Sequence, residues 1–419
     1  MATKVLHLSM VVKRPLVDRA GEKVGRIEDL IVRLGEDGAY PPIMGALAKI
    51  GGRELFVPID QIAGIESGRV QLQGERLSLR RFERRPGEVL LGRDLSARHL
   101  INVVGARLVR ANEIELACID SRWAVVGVDA STRPVLRRLL PRPFRQRVEP
   151  GPILDWSSVE PFVGHVPTAR LRLTHRKLAR LHPAQIADLV EAASHDEGEE
   201  IIEAVGQDRE LEADVFEELD PEHQQEFVQT RSDAEVAALL AKMAPDDVAD
   251  FVTGLDQERR LPVLELLPTE LERKVRSLLS YNPETAGGLM SPDFLAMPRS
   301  TPVSVALERV RTTEVPPEAL GVVYVTDDAQ CLCALTPLAG LVRADLAASI
   351  DDVAEHEPVM IRPDADVHEV VRKMTDYNLS VLPVVDDSCR MIGQITVDDV
   401  LELLQPSGWK GDFGLSAPD

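Results

Sequence analysis

The residues best spaced for chemistry are two aspartates one helical turn apart. In Pro245-Asp246-Asp247-Val248-Ala249-Asp250 the proline favours a helix start, so Asp246 and Asp250 leave the helix on one face. Two carboxylates so placed repel each other unless a cation or a basic group lies opposite. Hard oxygen donors of this kind suit Mg2+, which keeps several waters and takes only one or two carboxylates per site. The same residues also fit a solvated helix start, where negative charge offsets the helix dipole. No catalytic constellation accompanies them. The nine histidines are scattered, no Gly-x-Ser-x-Gly, Walker A or His-Glu-x-x-His pattern occurs, and Gly51-Gly52 and Gly287-Gly288 lack the context of a phosphate loop. A non-enzymatic protein is expected. Cys118 and Cys389 stand alone, and Cys331-Leu332-Cys333 has no second pair to complete a zinc site, so the four cysteines are assigned no chemistry. Arg80-Arg81-Phe82-Glu83-Arg84-Arg85, a short basic run interrupted by an acid, reads as a solvated or interdomain contact.

The elements that must position these residues fall into three parts. The chain has 419 residues, enough for several domains, and a net charge of −21 that makes nucleic acid a poor partner. Residues 1–147 carry +9 and the remainder −30, so two physically different parts meet near Pro141 to Trp156, where prolines break any period. The first part is β-rich, with strands expected at 26–32 and 54–59, and it repeats itself. Gly21, Val24, Arg26 and Asp29 are matched 84 residues later by Gly105, Leu108, Arg110 and Glu113, which predicts two related small barrels, 1–80 and 86–145. A linker is expected at 146–167.

Residues 168–282 change to helical period. Pro183, Pro221, Pro245 and Pro268 each stand at an expected helix start, where proline's fixed φ and missing N–H are tolerated. Their recurrence predicts a superhelix of short helices with acidic faces. From 283 to 405 strand and helix alternate in two halves, the second with a helix at 366–374, strands at 380–386 and 391–396 and a helix at 397–404. Residues 406–419 are expected as a tail. No run of about 18 apolar residues occurs and the N-terminus lacks a secretory signal, so a cytoplasmic protein with no transmembrane segment is expected.

Several stretches carry a family resemblance. Tyr281-Asn-Pro-Glu-Thr-Ala-Gly-Gly-Leu-Met290 with Ser-Pro-Asp-Phe-Leu-Ala-Met297 resembles the junction between the helical N domain and the CBS pair of the MgtE family of magnesium channels. Leu382-Pro-Val-Val-Asp386 and Gly393-Gln-Ile-Thr-Val-Asp-Asp-Val400 resemble a second CBS motif, and the duplicated front part is similar to PRC-barrel domains. In that family a plug helix and a transmembrane domain follow, whereas this sequence ends after a short tail, so no ion conduction by this chain alone is expected. The resemblance implies a multidomain fold: β-rich PRC-type barrels, an all-α superhelical N-type domain and an α/β CBS pair.

The resemblance also implies site residues. Acids of the helical domain face acids of the second CBS domain with Mg2+ between them, which makes Asp246 and Asp250 the helical side and Asp366 and Asp399 the CBS side. His368 and Asn378 stand where the family pattern can carry carboxylates. The Gly-x-x-Thr-x-x-Asp arrangement around Thr396 and Asp399 implies an adenine nucleotide site, the hydroxyl facing a phosphate and the carboxylate accepting from ribose hydroxyls. The first half has Gly340 where that aspartate would be needed. The resulting expectation is a cytosolic regulatory module, a homodimer through its CBS pair, whose helical and CBS domains close on Mg2+. The alternatives are a ligand-independent protein adaptor and a regulatory subunit docking on a separate membrane transporter.

Overall fold

A computed structural model describes residues 5–35, 39–74, 80–119, 122–133, 151–166 and 177–404. The tail expected at 406–419, and residues 146–150 and 167 of the expected linker, lie outside the described residues. Two compact units divide the chain, residues 1–218 and 219–419, so the division falls inside the helical segment.

The first unit begins with β1 (Val5–His7), β2 (Pro15–Val17), β3 (Lys23–Arg33), β4 (Ile43–Ile50), β5 (Arg53–Pro58), β6 (Ile62–Glu66), β7 (Arg69–Leu72) and β8 (Arg80–Arg81). It continues through β9 (Glu88–Leu90), β10 (His99–Asn102), β11 (Arg107–Arg110), β12 (Glu113–Ile119), β13 (Arg122–Asp129), β14 (Ile153–Asp155) and β15 (Val159–Pro161). The main sheet runs β6-β7-β2-β3-β4-β5-β8, with β9 on β3; the others run β1-β12-β13-β14 and β11-β10-β15. Residues 153–161, expected within a linker, therefore extend two sheets, because Ile153–Asp155 and Val159–Pro161 pair with β13 and β10.

The 84-residue repeat is visible as a reciprocal exchange. β1 precedes the first copy yet pairs with β12 of the second, and β9 precedes the second copy yet pairs with β3 of the first. Lys13 and Ala97, 84 residues apart, both adopt left-handed backbone at φ 67° and 64°. The matched acids act across the exchange. Asp29 accepts from the backbone N–H of Gly92 at 2.7 Å and of Arg93 at 2.9 Å, while Glu113 accepts from Ser9 N–H at 3.1 Å and Ser9 Oγ–H at 2.5 Å. Both carboxylates are buried, a placement tolerable only because backbone donors replace the lost water. A large apolar cluster, from Leu6 to Val166, draws residues from both copies, and a smaller one of Ile31, Leu47, Phe56 and Leu90 is separate from it, so the two copies share much of their packing.

Helices α1 (Pro183–Ala192), α2 (His195–Val205) and α3 (Arg209–Glu217) complete the first unit. Val163 N–H and Gly164 N–H donate to Glu200 of α2 at 2.7 and 2.8 Å, tying these helices to the β region.

The second unit opens with α4 (Pro221–Gln229), α5 (Asp233–Leu240), α6 (Pro245–Gly254), α7 (Gln257–Leu266) and α8 (Thr269–Leu278). Pro183, Pro221 and Pro245 are first helical residues, while Pro268 stands one place earlier, as the cap of α8. Helix α6 packs against α4 and α8, and α5 against α7. Beyond the short helix α9 (Ala286–Leu289) lies the α/β region: β16 (Ala296–Pro298), α10 (Val303–Thr312), β17 (Val322–Thr326), β18 (Leu332–Pro337), α11 (Leu338–Arg343) and β19 (Glu355–His356), then α12 (Val367–Tyr377), β20 (Val381–Val385), β21 (Met391–Thr396) and α13 (Val397–Leu404). The strands form β16-β17-β18-β19 and β20-β21.

Fully buried Gln394 joins the halves of this region. Its Oε1 accepts from Tyr324 Oη–H at 2.7 Å, and its Nε2 donates to the carbonyls of Asp293 at 2.8 Å and Ala319 at 3.0 Å. Gly393 beside it has no room for a Cβ, which would lie 2.7 Å from Met290 Sδ and 2.8 Å from the Ser291 carbonyl. Strand β21 is thus pressed against the Met290-Ser291 junction.

Removing the Asp29 carboxylate would leave the Gly92 and Arg93 N–H groups without their acceptor. We expect D29A to lose roughly 3 kcal/mol of stability in denaturant unfolding and D29N to lose less, since an unpaired buried donor costs about 1–3 kcal/mol. A D29A protein within about 0.5 kcal/mol of wild type would show that the exchange does not depend on this contact.

Candidate metal centre

Helix α6 starts at Pro245 without a capping side chain, because its N-cap is Ala244. Helix α5, by contrast, opens on a reciprocal box between Ser232 and Glu235. Asp246 is half-buried, and its Oδ1 is shut off from solvent with no hydrogen-bond partner among the described residues. Burial, above all, pushes its carboxyl up to about 6; its own backbone N–H and the Ser291 hydroxyl pull the other way, while the charges of Asp399 and Asp293 add to the rise. A carboxylate oxygen that is dry, unpaired and near two further acids is the arrangement a cation stabilises.

Asp399 arrives from the other side of the same unit, in the first turn of α13. Its Oδ2 accepts from Thr396 N–H at 2.7 Å, and its own N–H reaches Thr396 Oγ1 at 3.4 Å. This is a reciprocal helix cap, so both residues of the nucleotide expectation already have a local structural use. Burial raises the Asp399 carboxyl, partly offset by those Thr396 contacts. Asp293 is held by Lys274 of α8, Nζ to Oδ1 2.5 Å, and its carbonyl accepts from Gln394. Helix α8 and the buried glutamine thus fix the third acid beside Asp246.

Of the four acids expected as ligands, Asp246 and Asp399 come within electrostatic reach of each other. Asp250 lies one turn farther along α6 and is exposed, and its carboxyl is raised by the protein around it. Asp366 has another setting. It caps α12, accepting from Glu369 N–H at 3.0 Å, and its side chain is 72% exposed. With Arg362, Asp364, Glu369 and Lys373 it lines an open cleft of about 490 Å³ that includes none of the other three. His368, at 99% side-chain exposure, is a surface residue. Sequence reasoning missed Asp293; its signal was its place in the Ser-Pro-Asp-Phe stretch that follows the junction motif.

The junction motif has a packing explanation. A Cβ on Gly287 would stand 2.6 Å from the Tyr281 ring, and one on Gly288 2.5 Å from the Asn282 carbonyl. The two glycines fold Tyr281–Pro283 back onto α9, which sets the path of the chain toward Ser291 and Asp293.

Comparison with known proteins points to the same region. Residues 181–284 match the MgtE intracellular N domain, and residues 350–406 match the CBS domain. The magnesium transporter MgtE of Thermus thermophilus is 31% identical over 212 residues, 49% of this chain and 47% of that protein. The MgtE of Enterococcus faecalis is 27% identical over 146 residues, 35% of this chain and 32% of that one. The chain thus spans about half the length, or less, of these curated relatives. Among solved structures, the cytosolic domain of the Mg2+ channel MgtE in complex with ATP superposes with a TM-score of 0.52 at 28% identity, covering 54% of this chain and 92% of that one. No helix among the described residues is long and apolar enough to cross a membrane.

The raised carboxyls fix the sign of a pH effect. The folded state holds the Asp246 proton up to about pH 6, whereas the unfolded chain releases it near the ordinary 3.8. In metal-free buffer the stability contributed by this group is therefore greatest below pH 4 and falls as pH rises to about 6, by up to about 3 kcal/mol at 1.36 kcal/mol per unit. D246N should flatten that part of the stability profile and be more stable than wild type at pH 7 without divalent cations. Equal pH profiles for the two proteins would contradict the buried charge.

Proposed function

We propose that the chain is a Mg2+-responsive regulatory module in which acids of α6 and α13 take a divalent cation between them. The observation that carries this reading is the unpaired, solvent-shielded Oδ1 of Asp246 beside the charges of Asp399 and Asp293. Mg2+ suits such a site because it accepts a few carboxylate oxygens and keeps its remaining waters. Asp246 and Asp399 would supply one oxygen each from opposite elements, Asp293 would add charge while staying paired to Lys274, and Asp250 would extend the negative field. Without cation the α6 and α13 acids repel; with it the repulsion becomes attraction and the helical and CBS-like parts of the second unit draw together. The regulatory role, rather than catalysis, is supported by the matches to an intracellular N domain and a CBS domain.

Three further features belong to the same proposal. The β-rich region is read as PRC-type. A homodimer through the CBS-like region is supported by exposed Leu401 and Leu403 on α13 and Val342 on α11, apolar groups that a second copy would cover. An adenine nucleotide at Thr396 and Asp399 is a second reading, supported by the ATP-bound solved relative; it would have to open the Thr396–Asp399 cap.

Calorimetric titration of the whole protein with MgCl2, against NaCl of equal ionic strength, tests the metal reading. Saturable heat is expected for the wild type, with affinity reduced at least about tenfold in D246N and in D399N, each of which loses a charged ligand. Identical heats with the two salts would favour the ligand-independent adaptor. Unchanged Mg2+ affinity in both variants would place any binding elsewhere.

A further inference from the structure

Two cysteines that the sequence sets 58 positions apart, Cys331 and Cys389, meet at the tips of two β-hairpins. The first tip joins β17 to β18 and the second joins β20 to β21, one from each half of the α/β region. The tips are built alike. Asp327 Oδ1 accepts from Ala329 N–H and Cys331 N–H, both at 2.9 Å, and Asp386 Oδ1 accepts from Ser388 N–H at 2.8 Å and Arg390 N–H at 2.9 Å. Gln330 and Cys389 hold matching left-handed backbone, φ 63° and 59°. The tips then pair with each other: Cys331 bridges Arg390 in antiparallel fashion, and Leu332 N–H donates to the Cys389 carbonyl at 2.9 Å. The two thiols adjoin and act on each other electrostatically. Cys331 faces Arg390 and the Leu332 N–H meets the Cys389 carbonyl, so the two cysteines are diagonal neighbours across the paired tips, one place off the facing position; a disulfide between them needs a Cα separation of roughly 4.4–6.8 Å.

We propose that Cys331 and Cys389 form a reversible dithiol–disulfide pair that locks the two hairpin tips, and with them the two halves of the α/β region, under oxidising conditions. The oxidant is a small peroxide, which both thiols can meet because each is only partly buried. The thiolate of one cysteine attacks a peroxide oxygen; the O–O bond breaks, one water leaves, and a sulfenic acid remains. The second thiol attacks that sulfur, the S–S bond forms, and a second water departs. Two thiols lose two electrons and two protons, and hydrogen peroxide is reduced to two waters. Burial, first, and the adjacent Cys389 raise the Cys331 thiol, so thiolate is scarce near neutrality and oxidation speeds up as pH rises. The competing thiol, Cys333, is oriented elsewhere, its Sγ 3.2 Å from the Val325 carbonyl. The inference is independent of the metal reading.

The test uses the full chain, folded, exposed to hydrogen peroxide at about pH 8.5 where thiolate is available, then alkylated, digested and mapped by mass spectrometry without reduction. The expected product is one intramolecular link between 331 and 389, two hydrogens lighter than the free peptides, reversed by a thiol reductant. It should persist in C333S and vanish in C331S and in C389S. Full alkylation of Cys331 and Cys389 after oxidation, a link made through Cys333 or Cys118 instead, or a link only between two chains would each overturn the proposal. Because the decisive measurement is made on the wild type, a poorly folding variant does not remove the test.

Discussion

The second unit is organised around carboxylates held where water cannot fully solvate them. An acid in water costs nothing to ionise at neutral pH, but the same acid beside other acids and under protein bears both desolvation and repulsion. Asp246 bears both, and the surrounding structure keeps it in place: Pro245 starts its helix, and α8 carries Lys274 to the neighbouring Asp293. Lys274 balances one of the acids around Asp246, which leaves Asp246 and Asp399 as a local excess of negative charge. In the proposed reading, that excess is what a cation would bind.

Gln394 is the neutral counterpart of that charged site. Its amide satisfies one hydroxyl and two carbonyls in a place with no water, so it fixes Tyr324, Ala319 and Asp293 together. A buried amide with every partner present specifies one arrangement, because any slip leaves polar groups unpaired. Gly393 allows this closeness, since a side chain there would collide with Met290 and Ser291. The position of Asp293 therefore follows from the core of the α/β region as well as from its ion pair.

The β-rich region solves a different problem, the stability of small duplicated units. Each copy lends an edge strand to the other, β1 to β12 and β9 to β3, and each buries an acid on backbone donors of the other's leading turn. Such an exchange covers strand edges that would otherwise invite association and lets both copies contribute to a shared apolar cluster. The Glu200 contacts then extend this unit into the first helices.

Much of this was legible in the sequence because it depends on local chemistry. Prolines marked helix starts, alternating apolar residues marked strands, and the offset of 84 residues between matched glycines and acids exposed the duplication. The pairing of Asp246 with Asp250 on one face also followed from helical period alone. What sequence spacing could not determine was which residues distant in the chain come together, since that depends on packing. The family resemblance placed Asp366 with Asp399, whereas α12 carries Asp366 into a separate cleft as a helix cap. Sequence reasoning overlooked Asp293, which acquires its role only through Lys274 and Gln394. It read residues 153–161 as linker, though two short runs there find open edges on β13 and β10. It left Cys331 and Cys389 as unrelated thiols, because nothing in a separation of 58 residues reveals that two hairpin tips will pair. Periodicity and turn chemistry are written along the chain, but desolvation, ion pairing and thiol proximity exist only once the tertiary structure has closed around them.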